Sequence, residues 1–434
     1  MENKRLKVLV MAHEFAPRQG AAECAVGWNI ATRLAKFHDV TVFYASGSHG
    51  NLTSYADDIK KYIAENGPVK GMNFVNIDQP AATRFFIALN KPFRKFNPAL
   101  GLPALYYMGY KYWQKAAYAT AKKFHDKQPF DVVHQLTLIS FREPGYCWKL
   151  DIPFFWGPTG GYKSFPVKFH KLLSFKSRVQ ERIRMISNFY KYYFSTRVIK
   201  ANKKAAVIYT YSNEDAKMLK KRAPGEVKLM LDAGTIIQPG SVVNESKPAS
   251  SVLKAVWCGQ LVERKAPLLL LKAIAAGNFT KEQIIFQVIG SGPLETMIKE
   301  ESKALGLDNV QVMGSVDRQT VLRLMREADF FIHTSLREGT PHVISEALSN
   351  GLPVICHDGF GMGIAVTDEC GIKVPLESPE TSIKGFREAI KRLLVDKDLR
   401  SKFREAAFLR SHELTWDIKA ETIAKDYLAN AGKK

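Results

Sequence analysis

The sequence predicts an α/β protein made of two Rossmann-like, doubly wound domains that face each other across a cleft. Three observations lead to this prediction. Short apolar runs alternate with helical segments in the first half of the chain, and the same alternation returns in the second half. Residues 236–252 are rich in Pro, Gly, Ser and Asn and separate the halves as a linker. The length of 434 residues accommodates two domains of roughly 200 residues each.

The first half, residues 1–235, opens with an apolar run that we interpret as the first core strand. Similar runs follow, separated by enough chain to form a helix between them. Strands are predicted at residues 6–11, 40–44, 130–134, 152–156 and 206–211, and a helix is predicted over residues 20–36. This alternation is typical of a parallel sheet that is covered by helices on both faces.

The second half, residues 253–412, repeats the pattern. Strands are predicted at residues 254–258, 284–290, 310–314, 330–333 and 353–357, with helical segments between them. In such folds, ligands bind beyond the carboxyl ends of the strands. The tail, residues 413–434, has a helical pattern over residues 415–430, and we expect this helix to return to the first domain.

Positive charge is concentrated in two windows of the first half. The chain carries a formal net charge of +21, and residues 81–125 contain eight Lys or Arg and no acid. Residues 160–205 contain twelve Lys or Arg against one acid, Glu181, and both windows are interleaved with aromatic residues. This mix predicts an anionic membrane surface as partner. The alternatives are a phosphorylated substrate, nucleic acid, which the lack of a known nucleic-acid module disfavours, or a solvated basic face over an aromatic core.

Other classes of protein fit the sequence poorly. No apolar run approaches the roughly 20 residues of a membrane span, and the first residues lead directly into a core strand without the pattern of a signal peptide. The five cysteines are an odd number without metal-ligand spacing, which predicts a reduced, cytoplasmic protein. No His, Cys or Asp cluster has the spacing of a metal site, so we expect no metal.

The most informative motif lies in the second half, where Glu338 follows an apolar run and Glu346 lies eight positions later. A helical pattern begins near Pro341, a good first helical residue, and stops at Gly351. A strand, a loop and a helix N-terminus in this order present backbone N–H groups and the positive end of the helix dipole to a phosphate. Carboxylates on either side can accept hydrogen bonds from sugar hydroxyls. The alternative is an ordinary loop glutamate followed by a solvent-facing helical one.

A second motif follows the first strand of the second half. Gly259 ends that strand, and Lys265 stands at the start of the next helix, where it could neutralise a diphosphate leaving group. Arg264 could share or take this role. A surface loop with an ordinary lysine is the alternative interpretation.

The first half contributes weaker signals. His13 follows the first strand, and Gly20 and the small residues after it permit close approach of a ligand at a helix start, although the G-x-G-x-x-G fingerprint is absent. His134 ends a predicted strand and is a second candidate for catalysis. A plain strand–helix connection and a buried core histidine are the respective alternatives.

Four segments of the second half together resemble the family 4 retaining glycosyltransferases, the glycosyl transferases group 1. They are Gly259 to Lys265, Gly290-Ser291-Gly292-Pro293, Val312-Met313-Gly314 and Glu338 to Ala347. In the first half, residues 13–28 are similar to a bacterial branch of that family. The resemblance implies the GT-B architecture, with the active site in the interdomain cleft.

The resemblance also implies roles for these residues. Glu346 would bind ribose hydroxyls, Glu338 the hydroxyls of the donor sugar, the backbone of Gly339, Thr340 and Pro341 the phosphates, Lys265 the diphosphate, and Gly314 the edge of the base. It implies transfer from a nucleotide-sugar donor with retention of configuration and without a metal or other cofactor. The expected acceptor is a lipid-linked or other oligosaccharide at the inner face of a bacterial plasma membrane, in the synthesis of a surface polysaccharide.

Two departures from the family pattern matter. Gln260 stands where the family often has arginine, so Arg264 is a candidate for the missing cation. Gly157 and Pro158 stand where many members have a histidine, which His13 or His134 could replace.

Two other functions remain open from the sequence. One is a nucleotide-sugar epimerase or another enzyme on the GT-B scaffold, and the other is a non-enzymatic protein that binds anions or membranes.

Overall fold

The computed structural model describes residues 4–18, 22–47, 54–95, 100–237 and 252–433. Nearly all of the predicted linker, and Gly20, lie outside these ranges. Within them the chain forms two parallel sheets, each covered by helices, which confirms the predicted α/β class.

The described part of the N-terminal domain contains a sheet of seven parallel strands in the order β3-β2-β1-β4-β5-β6-β7. The strands are β1 Lys7–Ala12, β2 Asp39–Ala45, β3 Met72–Ile77, β4 Val132–Thr137, β5 Phe154–Thr159, β6 Ala205–Thr210 and β7 Glu226–Leu229. The helices are α1 Ala22–Leu34, α2 Tyr55–Asn66, α3 Ala81–Asn90, α4 Pro103–Lys127, α5 Phe175–Phe194, α6 Thr196–Lys204 and α7 Asn213–Lys220. Helices on both faces bury the central strands, which explains why those strands are nearly continuous apolar runs.

The described part of the C-terminal domain has six parallel strands in the order β10-β9-β8-β11-β12-β13. The strands are β8 Leu253–Cys258, β9 Ile284–Ile289, β10 Val310–Gly314, β11 Phe330–His333, β12 Val354–Asp358 and β13 Gly371–Pro375. The helices are α8 Pro267–Gly277, α9 Glu295–Ala304, α10 Arg318–Glu327, α11 His342–Ser349, α12 Met362–Ala365, α13 Pro379–Val395 and α14 Lys397–Glu413. The strand order reverses between β8 and β11, and the crevice beyond such a switch point is where doubly wound sheets bind ligands.

The predicted strands are confirmed, but the sequence prediction omitted β3, β7 and β13. All three lie at the edge of a sheet. Strand β3 contains two asparagines and is only partly buried, and β7 is four residues long and largely uncovered. Edge strands lack the continuous apolar sequence that identifies a strand buried on both faces, so the pattern was too weak to detect.

A segment between β5 and α5 connects the two domains. The side chains of Phe165, Phe169 and Leu173 belong to the chain that follows β5, yet they pack in a core cluster of the C-terminal domain. At the start of α5, the Ser174 amide donates a hydrogen bond of 2.9 Å to Glu263 Oε1. The N-terminal domain therefore holds the C-terminal domain through buried apolar area as well as polar contacts.

The terminal helix, α15 Trp416–Asn430, packs on the N-terminal domain. Trp416, Ile423 and Tyr427 lie in the core cluster that covers one face of the first sheet. The Tyr427 hydroxyl lies 2.6 Å from Nδ1 of His134, and Arg33 contacts Asp417 at 2.9 Å. Within the described ranges, no helix combines the length and the apolar character that crossing a bilayer requires.

The attachment of α15 can be tested at Tyr427. Replacing Tyr427 with Phe removes the hydroxyl that bonds to His134 and leaves a buried ring nitrogen unsatisfied. We expect the Tyr427→Phe variant to lose about 1–3 kcal/mol of unfolding free energy, measured by urea denaturation followed by tryptophan fluorescence. Tyr190→Phe, at an exposed tyrosine of α5, is the matched control and should stay within about 0.5 kcal/mol of the wild type. Equal stability of the two variants would contradict the structural role of this bond.

Candidate active site in the interdomain cleft

Glycines at the carboxyl ends of three neighbouring strands form a ledge without side chains. Gly259, Gly290 and Gly314 follow or end β8, β9 and β10. A Cβ atom on Gly290 would lie 1.9 Å from the Gly259 carbonyl oxygen, and Gly314 has a φ of 69°. Larger residues are therefore disfavoured at Gly290 and Gly314, and a ligand can approach the backbone of the ledge closely.

A buried ion-pair network lies beside the ledge, between the ends of β8 and β11. Lys265 Nζ is 2.6 Å from Glu338 Oε1, and Arg264 also pairs with this oxygen. His333 places Nε2 at 3.5 Å from the other carboxylate oxygen. The side chains of Lys265 and Glu338 are only 10% and 9% exposed, so each charge depends on the other for compensation.

The electrostatics of this network keep its charged forms in place. Burial alone would raise the pKa of Glu338, but the His333 ring and the Lys265 and Arg264 cations outweigh burial and hold that pKa below its usual value. Burial lowers the pKa of Lys265, an effect that Glu338 opposes. Arg264 and Lys265 together give the network an excess of positive charge next to the ledge, and an anionic ligand would balance that excess.

The loop from Glu338 to Pro341 is held against the N-terminal domain by Asp232. The Thr340 amide donates a hydrogen bond of 2.6 Å to Asp232 Oδ1. A Cβ atom on Gly339 would lie 2.4 Å from Asp232 Oδ2, so any larger residue at this position has to displace that carboxylate. Pro341 then caps α11, whose N-terminus begins at the edge of the cleft. The arrangement matches the strand, loop and helix start that the sequence predicts.

Glu346 lies on α11 and is partly exposed, with 22% of its side chain accessible. Arg318 Nη2 approaches its carboxylate at 2.8 Å. Burial raises the pKa of Glu346, while Arg318 and His342 oppose that rise. The carboxylate can therefore accept hydrogen bonds from a ligand on the same side of the sheet as Lys265.

The N-terminal wall of the cleft carries carboxylates that the sequence prediction did not single out. Glu23 accepts a hydrogen bond of 3.1 Å from the Ile139 amide, and the Tyr106 hydroxyl lies 3.5 Å from Glu14. Burial raises the pKa of both glutamates, and for Glu23 the neighbouring Glu14 and Asp232 raise it further. Grouped carboxyl groups of this kind can accept hydrogen bonds from the hydroxyls of a saccharide.

The two histidine candidates have different surroundings. His13 is fully buried after β1 and packs edge-on against Tyr110 and Trp113, with ring centroids 4.8 and 4.6 Å away. His134 is also fully buried, and its ring nitrogens lie 2.6 Å from the Tyr427 hydroxyl and 2.6 Å from the Gly157 carbonyl. Burial lowers the pKa of His134 to about 4. The structure thus corrects the catalytic role predicted for His134, because its ring is engaged inside the core and is not available to a substrate.

The structure brings Gly259, Arg264, Lys265 and Glu338 together, and it places the loop through Pro341 and Glu346 on the same side of the sheet. It also adds Asp232, Glu14, Glu23 and His333. A usable signal existed for both His333 and Glu14, because His333 ends a predicted strand and Glu14 lies three residues after another. Asp232 belongs to no sequence motif, because its role comes from a hydrogen bond with Thr340, which lies 108 residues later in the chain.

Among the described residues, no cluster of His, Cys, Asp or Glu has the grouping of a metal site.

The C-terminal domain is similar to a known family of proteins. Residues 244–410 match the family model described as glycosyl transferases group 1, which confirms the resemblance noted from the sequence. A protein of Bacillus subtilis named as a glycosyltransferase, EpsF, is 38% identical over 88 residues, or 20% of this chain and 22% of that protein. TuaC of the same organism, named for teichuronic acid biosynthesis, is 31% identical over 108 residues, or 25% of each chain. The chain thus spans about a quarter or less of the length of these curated relatives.

A solved structure resembles the whole chain. The HepE protein of Anabaena, crystallised with UDP and glucose, is 16% identical and superimposes with a TM-score of 0.54 over 98% of this chain and 100% of its own. At this level of identity the likeness concerns the fold alone. It supports the GT-B arrangement of two Rossmann-like domains around a cleft.

The fit between Gly339 and Asp232 can be tested by substitution. In the Gly339→Ala variant the added methyl group displaces the Asp232 carboxylate and disrupts its bond to the Thr340 amide. We expect a loss of about 1–3 kcal/mol in unfolding free energy. Gly259→Ala is the control, because its Cβ would make only ordinary contacts, the nearest at 3.5 Å. Thermal unfolding of both variants measures the difference, and a destabilisation of Gly259→Ala equal to that of Gly339→Ala would contradict the account.

Proposed function

We propose that this protein is a glycosyltransferase that moves a sugar from a nucleotide-sugar donor to a saccharide acceptor in bacterial surface-polysaccharide synthesis. The observation that carries the proposal is the buried pair of Lys265 and Glu338, joined by the part-exposed Arg264, beside a glycine ledge and a helix start. This network lies within the region that matches the group 1 glycosyltransferases. The relatives named for polysaccharide biosynthesis and for glycosyl transfer support the reaction class.

The donor diphosphate is proposed to bind at Lys265 and Arg264. These two cations exceed the single charge of Glu338 in their network, and a diphosphate between the network and the start of α11 would balance them. When the bond between the sugar and the phosphate breaks, negative charge grows on the departing phosphate oxygen. Cations fixed in a buried site stabilise that charge without having to reorganise during the reaction. Arg264 thereby supplies the positive charge that the family often provides through an arginine at the position of Gln260.

The two glutamates are proposed to recognise different parts of the donor. Glu346 is partly exposed on α11 and would accept hydrogen bonds from the ribose hydroxyls. Glu338 is fixed by three neighbouring groups and would accept hydrogen bonds from the hydroxyls of the sugar being transferred. The ledge near Gly314 would leave room for the base.

The acceptor is proposed to enter from the N-terminal wall of the cleft. Glu14 and Glu23 would orient it by accepting hydrogen bonds from saccharide hydroxyls. We propose that the acceptor oxygen attacks the same face of the sugar from which the phosphate leaves, with retention and without a metal. The departing phosphate oxygen would take the proton of the acceptor hydroxyl. The protein contributes positioning and charge stabilisation.

Helix α5 is proposed to rest on an anionic membrane surface. Large apolar side chains recur along one side of this helix at intervals of three and four residues and are exposed: Phe175, Val179, Ile183, Ile186 and Tyr190. Exposed basic side chains flank them, among them Lys176, Arg178 and Arg182. An apolar stripe bordered by cations is the form of a helix that lies in the plane of an anionic bilayer. The proposed location is therefore the inner face of the plasma membrane, where a lipid-linked saccharide is the natural acceptor.

The reaction class can be tested by following nucleotide release. A glycosyltransferase releases free nucleoside diphosphate in proportion to the acceptor supplied, whereas an epimerase changes the sugar without any release. A non-enzymatic protein would bind anions without consuming donor. Release in the absence of any acceptor at the same rate as in its presence would overturn the proposal of transfer.

The separate roles of the two glutamates predict a split in donor binding. We expect Glu346→Gln to weaken the binding of free nucleoside diphosphate and of nucleotide sugar by about the same factor, roughly tenfold. Glu338→Gln should weaken the binding of nucleotide sugar clearly more than that of the free diphosphate. Titration calorimetry of both ligands measures the split, with the exposed Glu388→Gln as control. Equal effects of Glu338→Gln on the two ligands would argue against its contact with the sugar.

The membrane surface can be tested with vesicles. The Ile186→Asp variant places a charge in the apolar stripe, at a side chain that is 66% exposed. The burial of one such side chain contributes about 1.5–3 kcal/mol. We therefore expect the affinity of this variant for phosphatidylglycerol vesicles, measured by co-sedimentation, to be at least tenfold lower. Leu409→Asp, at a residue 65% exposed on α14, is the control and should bind like the wild type. Equal binding of the wild type to neutral and anionic vesicles, or no binding to either, would contradict the proposal.

A further inference from the structure

An arginine cluster lies where α5 meets the loop that carries Glu338. We use this name for Arg142, Arg184 and Arg337. Arg337 makes two contacts with the Glu181 carboxylate, one of them 2.9 Å from Nη2 to Oε1, and Arg184 Nε lies 4.0 Å from the same oxygen. Arg184 of the N-terminal domain and Arg337 of the C-terminal domain therefore share one carboxylate.

The face of α5 that looks into the cleft holds this cluster together. Glu181, Arg184 and Asn188 are three and four residues apart, so they lie on one side of the helix. Asn188 Oδ1 accepts a hydrogen bond of 2.7 Å from Arg142 Nε, and Asn188 Nδ2 donates one of 2.9 Å to the Gly161 carbonyl. Hydrogen bonds thus hold the guanidinium groups of Arg142 and Arg337 before any ligand arrives, whereas Arg184 lies 4.0 Å from Glu181 and is half exposed.

The cluster carries more positive than negative charge. Among the described contacts, Arg337 and Arg184 pair with the single Glu181 carboxylate, and Arg142, held by Asn188, adds a third positive charge close enough to Arg184 to repel it. Burial lowers the pKa of Arg184, the neighbouring Arg337 and Arg142 lower it further, and Glu181 opposes them. Arg337 is 15% exposed, whereas Arg184 is 49% exposed. The excess charge is therefore reachable from one side, and a bound anion would relieve the repulsion between the cations.

We propose that the arginine cluster binds a phosphate group of the acceptor substrate. Planar guanidinium groups bind phosphate oxygens in pairs, which makes fixed arginines the usual phosphate ligands. This inference rests on the proposed function, since it assigns an acceptor to the same cleft. Arg337 directly precedes Glu338 in the chain, so a phosphate at the cluster would lie near the proposed site of the transferred sugar.

The position of α5 explains why the phosphate would belong to the acceptor. The cluster faces the cleft from one side of the helix, and the apolar stripe lies on the opposite side. A helix with its side chains is about 10–12 Å across, so a phosphate held at Arg184 stays close to the depth of lipid head groups. A saccharide linked through phosphate to a lipid would reach the cleft with its lipid still in the membrane.

The test measures the binding of inorganic pyrophosphate by titration calorimetry, with the donor site saturated by a nucleoside diphosphate and without vesicles. We expect Arg184→Gln to weaken this binding about tenfold, the effect of one lost charge-assisted hydrogen bond. The affinity of Arg184→Lys for pyrophosphate should lie between the affinities of the wild type and of Arg184→Gln. Arg182→Gln, which removes the same charge from an exposed position two residues away, should bind like the wild type. Absence of binding by the wild type, or equal loss in Arg184→Gln and Arg182→Gln, would overturn the proposal.

Two further probes distinguish the source of the phosphate. Farnesyl diphosphate that binds more tightly than pyrophosphate, and loses this binding in Arg184→Gln, would indicate a lipid-linked acceptor. Equal binding of the two would indicate a soluble phosphorylated acceptor and would also support the site. Binding of dihexanoyl phosphatidylglycerol without binding of either diphosphate would overturn the acceptor site and assign the arginines to bulk lipid. If no nucleoside diphosphate binds, the proposed function fails, but pyrophosphate binding without nucleotide still tests Arg184.

Discussion

The ion pair between Lys265 and Glu338 is the interaction on which the candidate site depends. Both side chains are about nine-tenths buried, and an isolated charge at such a depth would cost several kcal/mol. Each residue is tolerated because the other is present, with Arg264 and His333 as further neighbours. Since Lys265 follows β8 and Glu338 follows β11, the pair spans the point where the strand order reverses. The fold thereby places concentrated charge in the crevice where a doubly wound sheet binds ligands.

The contacts between the domains converge on the same loop. Asp232 holds the Thr340 amide, Glu181 holds Arg337, and Glu263, beside Arg264, accepts a hydrogen bond from the start of α5. Each of these contacts joins the N-terminal domain to a residue next to the ion-pair network. A movement of one domain relative to the other would therefore change the site directly, and α5 connects such a movement to the surface that we propose for the membrane.

The sequence predicted the features that depend on local pattern. Central strands are apolar runs because they are buried on both faces, and Lys265 and Glu338 stand in motifs at strand ends. Features that depend on distant partners were not predictable. The role of His134 is set by Tyr427, which lies 293 residues later in the chain, and a histidine at a strand end looks the same whether it is satisfied in the core or free to react. Asp232 and the arginine cluster likewise acquire their meaning only when the two domains meet.

The most direct test of the account is a thermal-shift panel of UDP, GDP and ADP sugars with the wild type and the Lys265→Met variant. A ligand that binds only the native state at about 100 times its dissociation constant adds about 2.7 kcal/mol of stability, or roughly 3 °C in melting temperature for a chain of 434 residues that unfolds as one unit. We expect that nucleotide sugars of one base raise the melting temperature of the wild type and that Lys265→Met abolishes this shift. A wild type that responds to none of them, or a variant that responds as fully as the wild type, would contradict it.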